Sequence, residues 1–186
     1  MKDHKGMRPQ DIVILLAIVS LHRDGWNNKG LKVVHRSPYP QNKDLAELLQ
    51  ISTAEISASI YRSSFSGLVD TSPVKRVFMQ SLFEFLKFGL KYVFPVQPGA
   101  LVRGIPTGHS AEPLRSSLSF QEEIVWEHPD GKVRGQAIAP LYPTVPAIVE
   151  KNELLYELLA LTDSLRIGGA REKDLATIEL EKRFFQ

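Results

Sequence analysis

"NKDLAELLQISTAEISASIYRSSFSGLV", residues 42–69, is the stretch whose reading decides the fold. Apolar residues recur at helical spacing up to Leu49 and then break. Gln50, Ile51 and Ser52 make a short turn. A second apolar pattern starts near Thr53 and stops at Gly67. Ser52 is a good N-cap, and Glu55 three residues later completes a capping box. Ile56 and Ile60, four apart, share one face of the second helix. Ala46 is small where that helix would cross the first. The spacing therefore predicts two short helices packed closely across a three-residue turn.

The flanks extend this pattern. "RPQDIVILLAIVSL" (8–21) reads as a helix with Pro9 near its start and Asp11 in its first turn. It is apolar nearly all round, so burial on every side is expected. Residues 22–41 read as a loop with a short strand over 31–35. A helix is predicted from Val74 to Phe88, ended by Gly89. "LKYVFPV" (90–96) reads as a strand and 97–119, rich in Gly, Pro and Ser, as mostly loop. "EEIVWEHPDGKVRGQAIA" (122–139) carries a β-hairpin signal, with Pro-Asp-Gly between two alternating runs. A leucine-faced helix is expected from Val145 to Leu165, and a terminal helix over 170–185.

Composition bounds the class. The 186 residues are 43% hydrophobic and 24% charged, which suits a packed chain of one large or two small domains. Cysteine is absent, so disulfides and thiolate metal sites are excluded. The apolar run 12–19 is too short to span a bilayer. No targeting segment is read at the start, and a cytoplasmic location without membrane contact is expected. Residues 1–110 hold 14 Lys/Arg against 8 Asp/Glu, and residues 111–186 hold 9 against 13. A basic front of +6 thus precedes an acidic tail of −4, a pattern that suits one face toward nucleic acid and residues 111–186 toward a protein partner.

Ala46, Leu49, Ile51, Ile56 and Ile60 hold their spacing together. The stretch resembles the winged helix-turn-helix domains of bacterial transcriptional regulators, including the multiple-antibiotic-resistance regulator type, over residues 8–70. Gln50 replaces the usual turn glycine, Ser63 stands where such helices often carry leucine, and "TSPVKR" (71–76) leaves little length for a wing. The resemblance implies an α+β chain. Residues 1–90 form the winged helix-turn-helix, and residues 91–186 form a mixed part with a small antiparallel β hairpin plus helices. It implies a DNA-binding transcriptional regulator of the repressor kind, acting as a homodimer on double-stranded DNA. An antitoxin-like protein-interaction module on the same fold is the alternative.

The DNA-facing candidates follow from helix geometry. Ala54, Ser57, Ala58, Tyr61 and Arg62 are placed on the outer face of the second helix, and Thr53 at its start is a further candidate. Ser and Arg can reach base edges or phosphates, Ala a thymine methyl, and Tyr61 a phosphate. Lys43, Lys75 and Arg76 supply flanking charge. The 97–119 loop holds Arg103, Gly104, Thr107, His109 and Ser110; it reads either as an anion pocket around Arg103 or as packing through Val102 and Ile105. The histidines His4, His22, His35, His109 and His128 fall in no metal-ligand spacing, and no P-loop or GxSxG elbow occurs. No catalytic residue, metal or cofactor is expected.

Overall fold

A computed structural model describes residues 6–23 and 39–186. The expected strand over 31–35 and most of the Arg23–Arg36 loop lie outside them. The chain runs α1 (Pro9–Arg23), α2 (Asn42–Leu49), α3 (Thr53–Phe65), α4 (Met79–Glu84), a π-helical turn (Phe85–Gly89) and α5 (Leu90–Val93). It continues with β1 (Leu101–Pro106), β2 (Ile124–Glu127), β3 (Val133–Ala137), α6 (Val145–Ile148), α7 (Glu153–Ile167) and α8 (Ala170–Phe185). The class is α+β, as the pattern predicted.

α1 is the central element. Every residue from Asp11 to Leu21 is buried, as its all-round apolar pattern requires. α2 and α3 pack on it from one side and α7 from another. A single hydrophobic cluster includes Leu15 and Leu16 of α1, Ile56 of α3, Leu86, and Leu158 of α7.

Several expectations beyond residue 70 are corrected. The helix expected from Val74 starts at Met79. Val77 instead bridges Val69, and Lys75 has φ 51°, a value no helix accepts. Gly89 does not end the helix. The backbone passes through a π turn there and stays helical to Val93, so "LKYVFPV" begins as helix and not as strand. Leu90 continues the buried row of Leu82 and Leu86, and that burial wins over strand propensity. A Cβ on Gly89 would lie 3.1 Å from the Phe85 ring, so the missing side chain makes room for it.

The predicted β-hairpin is also corrected. The runs on either side of Pro-Asp-Gly do not pair antiparallel with each other. Both pair antiparallel with β1, whose first half meets β3 (Leu101 with Gln136) and whose second half meets β2 (Pro106 with Val125). β2 and β3 touch only in parallel, Ile124 with Gln136 and Val125 with Ala137, closing a three-stranded barrel. β1 lies inside the segment expected to be loop. Closure needs backbones nearly in contact. A Cβ on Gly104 would collide with the Trp126 carbonyl, and one on Gly131 with the backbone of Gly104.

The leucine-faced helix is two pieces. α6 gives way to a short 3-10 turn, and Asn152, with φ −150°, interrupts the run. Its Oδ1 accepts the Leu155 N–H at 2.7 Å and caps α7. The barrel is locked onto α7 by buried Asp163. Its Oδ2 accepts from Thr107 Oγ1 at 3.0 Å and Trp126 Nε1 at 2.7 Å, and its Oδ1 from Arg166 at 2.7 Å. Burial pushes the Asp163 carboxyl above its ordinary range, against the pull of these donors.

Candidate nucleic-acid interface

The α2–turn–α3 unit forms as the spacing predicted. Gln50 adopts the left-handed conformation (φ 54°, ψ 41°) that the missing glycine would take easily. Ile51 is buried beneath the turn, and Ser52 Oγ accepts the Glu55 N–H at 3.2 Å. Glu55 does not return the capping-box bond; its carboxylate is used elsewhere. At the start of α2 the reciprocal bond is made by Asp44, which accepts the Gln41 N–H at 2.7 Å.

α3 divides sharply into two faces. Ile56, Ser59, Ile60, Arg62 and Ser63 point inward and are buried. Thr53, Ala54, Ser57 and Tyr61 are exposed, and Ala58 is half-buried. Asn42 Nδ2 donates to Ser57 Oγ at 2.8 Å, so the first residue of α2 joins this outer surface. A polar, weakly charged helix face results, one that can offer hydroxyls, an amide and small apolar groups.

Arg62 departs from expectation. The helix pattern puts it outside, yet it is buried, with Nε 3.0 Å from Asp11 Oδ2 and Nη2 2.6 Å from Asp11 Oδ1. The same nitrogen donates to Glu55 Oε1 at 2.5 Å, and Gln10 Nε2 donates to that oxygen at 3.1 Å. This bidentate pairing with Asp11 raises the Arg62 pKa, with Glu55 adding to it. Burial pushes the Glu55 carboxyl up, but hydrogen bonds from Arg62 and Gln10 outweigh it and hold the group below its ordinary value. Arg62 thus ties α3 to the first turn of α1.

Lys75 is the second correction. It is also buried, and its Nζ donates to the Pro40 carbonyl at 3.0 Å. Burial lowers its pKa, against the attraction of Asp44. The segment it belongs to is a minimal hairpin: Val69 bridges Val77, and the Phe78 N–H donates to the Leu68 carbonyl at 2.9 Å. Asp70 Oδ1 gathers the Ser72 hydroxyl at 2.7 Å and the Arg76 N–H at 2.9 Å across the turn. These bonds, that from Ser72 first, hold the Asp70 carboxyl below its ordinary range.

Lys43 and Arg76 remain exposed, on α2 and on the hairpin, and neither makes an ion pair among the described residues. Between α3 and the hairpin lies a cleft of about 440 Å³ lined by Gln41, Asn42, Ser57, Tyr61, Ser72 and Lys75, among others. The candidate surface therefore comprises Thr53, Ser57, Ala58 and Tyr61, flanked by Lys43 and Arg76. Asn42 was not singled out in the sequence; only its place just before the α2 pattern could have suggested it.

The packing reading of the 97–119 segment holds for Ile105, but the segment carries β1 and packs with α7 and the other strands. Ile105 packs on the core, Thr107 reaches Asp163, and Ser110 Oγ accepts the Ile124 N–H at 2.8 Å. His109 lies against the Phe120 ring at 4.8 Å. Arg103 is exposed and stands opposite Arg134 across β1 and β3.

Among the described residues no helix is long and apolar enough to cross a membrane, and no group of three or more His, Cys, Asp or Glu could hold a metal ion. Comparison with family models, curated proteins and solved structures finds no match.

Proposed function

We propose that the chain is a sequence-specific DNA-binding transcriptional regulator with a winged helix-turn-helix head, reading the major groove through the outer face of α3. The observation that carries this is the two-sidedness of α3. Its inner face is anchored by Ile56, Ile60 and the Arg62–Asp11 pair, while Thr53, Ala54, Ser57 and Tyr61 stand bare beside a capped, close-packed α2. A rigid helix with small and hydroxylated residues outward suits base-edge readout. In this reading the 68–78 hairpin serves as a short wing, with Arg76 exposed on it. Lys43 and Arg76 supply the phosphate contacts that α3, with its one arginine buried, cannot. Bound at its own promoter, such a protein represses by occupancy.

The test is fluorescence anisotropy with the DNA upstream of the protein's own gene and a scrambled duplex, each at two salt concentrations. Tyr61→Ala, Lys43→Ala and Arg76→Ala are expected to weaken binding with the melting temperature unchanged. Each lost cation should lower the salt slope by about one. Unchanged affinity in the triple variant, or equal affinity for the scrambled duplex, overturns this reading.

A further inference from the structure

The cleft between α3 and the 68–78 hairpin has hydrogen-bond directions that are already set. Ser57 Oγ–H donates to the Thr53 carbonyl, one turn back, at 3.0 Å. The single hydroxyl proton of Ser57 is therefore committed to its own helix. Asn42 faces the same oxygen at 2.8 Å. It presents an amide N–H there, because an oxygen whose proton is used can only accept. One lone pair of Ser57 Oγ remains, on an exposed residue. On Asn42 the carbonyl Oδ1 and the second amide N–H remain, and neither has a partner among the described residues. Asn42, Ser57 and Tyr61 line the cleft together. Lys75 lines it too, but its Nζ is turned to the Pro40 and Pro73 carbonyls, at 3.0 and 3.4 Å.

These directions decide what the pair can take. A phosphate oxygen only accepts, and the free lone pair of Ser57 would meet it with no proton between them. Guanine O6 and N7 and thymine O4 are acceptors as well. Adenine N6 and cytosine N4 are amino donors, and these fit. Asn42 narrows the choice, because it offers an acceptor and a donor side by side. Adenine N6 and N7 match that pair on one base, whereas cytosine carries the donor with no acceptor beside it on the same base. We infer that Asn42 reads an adenine of the target DNA through N6 and N7, steadied by Ser57, and that Ser57 accepts only from a base amino group. This rests on the DNA reading proposed above, and it adds the base that is read and the α2 residue that reads it. The Asn42–Ser57 bond exists before DNA arrives, so the amide has less rotamer freedom to lose on binding.

The experiment is selection of binding duplexes from a random pool with the full chain, followed by fluorescence anisotropy on the best duplex. The wild type is expected to enrich a motif with a fixed adenine. Replacing that adenine by 7-deazaadenine removes N7 alone and should weaken wild-type binding several-fold, about the loss of one hydrogen bond. Asn42→Ala should weaken binding to the adenine duplex about tenfold or more and should not distinguish adenine from 7-deazaadenine. Asn42→Asp, which carries acceptors only, should move the selected base from adenine to cytosine. Ser57→Ala should lower the preference for adenine without installing another base. Each readout is a ratio between duplexes for one protein, so a loss of folded fraction does not imitate it, and the 7-deazaadenine arm needs no variant. A wild type that selects no motif overturns the DNA reading and this inference with it. A motif that Asn42→Ala keeps unchanged, or a wild type indifferent to 7-deazaadenine at every selected adenine, overturns the role of Asn42 and leaves the DNA reading standing.

Discussion

Arg62 shows how a charge on a surface-type helix can serve the interior. Its guanidinium spans from α3 to Asp11 in α1, fifty-one positions away, and uses its planar fork on that carboxylate. Removing one partner of a buried pair leaves the other charge desolvated. Arg62→Ala is therefore expected to destabilise the fold by roughly 3 kcal/mol, read by urea denaturation. Any loss of DNA affinity it causes should follow from that, not from a missing contact. The lowered Glu55 pKa adds a pH signature. Its ionised form is favoured in the folded state, so the contribution is present above the ordinary carboxylate pKa. It is lost as pH falls through the lowered folded value. Acid denaturation of the wild type should show this loss, and Arg62→Ala should flatten it. Ser63 is the opposite case. Its hydroxyl is buried without a hydrogen-bond partner, so Ser63→Ala should be neutral or stabilise by up to about 1 kcal/mol in the same assay.

Among the elements, the α2–turn–α3 unit was legible because its determinants are local. Cap, turn and apolar spacing all lie within twenty-eight residues of quoted sequence. The inward turn of Arg62 was not legible, because Asp11 lies far off in the chain. The barrel failed for a related reason. β1 is short, preceded by Pro98-Gly99, ends on Pro106 and carries Gly104 near its centre, so it looks like loop. Its existence depends on strands that begin only at Ile124 and Val133. The Pro-Asp-Gly turn does form, with the Gly131 N–H donating to the His128 carbonyl at 3.0 Å, but a third strand captures both arms. The close approach behind that capture gives an element-scale prediction. Gly104→Ala should disrupt the barrel and release buried Trp126, seen as loss of near-ultraviolet circular dichroism with helical signal retained. Within the head, half-buried Ala46 packs against the core where α2 meets α3. Ala46→Leu should overpack this crossing and cost about 1–3 kcal/mol in thermal or chemical denaturation.

At the scale of the molecule, charge asymmetry and a change of pattern near residue 90 suggest two parts, but the apolar cluster runs through both. α1 is its axis, covered by α2 and α3 on one flank and by α7 on another. A helix with no exposed residue between Asp11 and Leu21 has no side it can turn to water. The α1–α3 part is consequently not a portable cassette. A fragment ending near residue 93 would strip α1 of α7 and lay bare a strip of isoleucine, leucine and valine. Such a fragment should aggregate or give a collapsed, poorly dispersed proton–nitrogen spectrum, whereas the full chain gives a dispersed one. On the proposed reading, grafting the specificity onto another protein would mean transplanting the outward residues of α3 into a host scaffold. Recombination at the apparent seam would fail, because α1 is roofed by α7, which begins 130 positions after α1 ends.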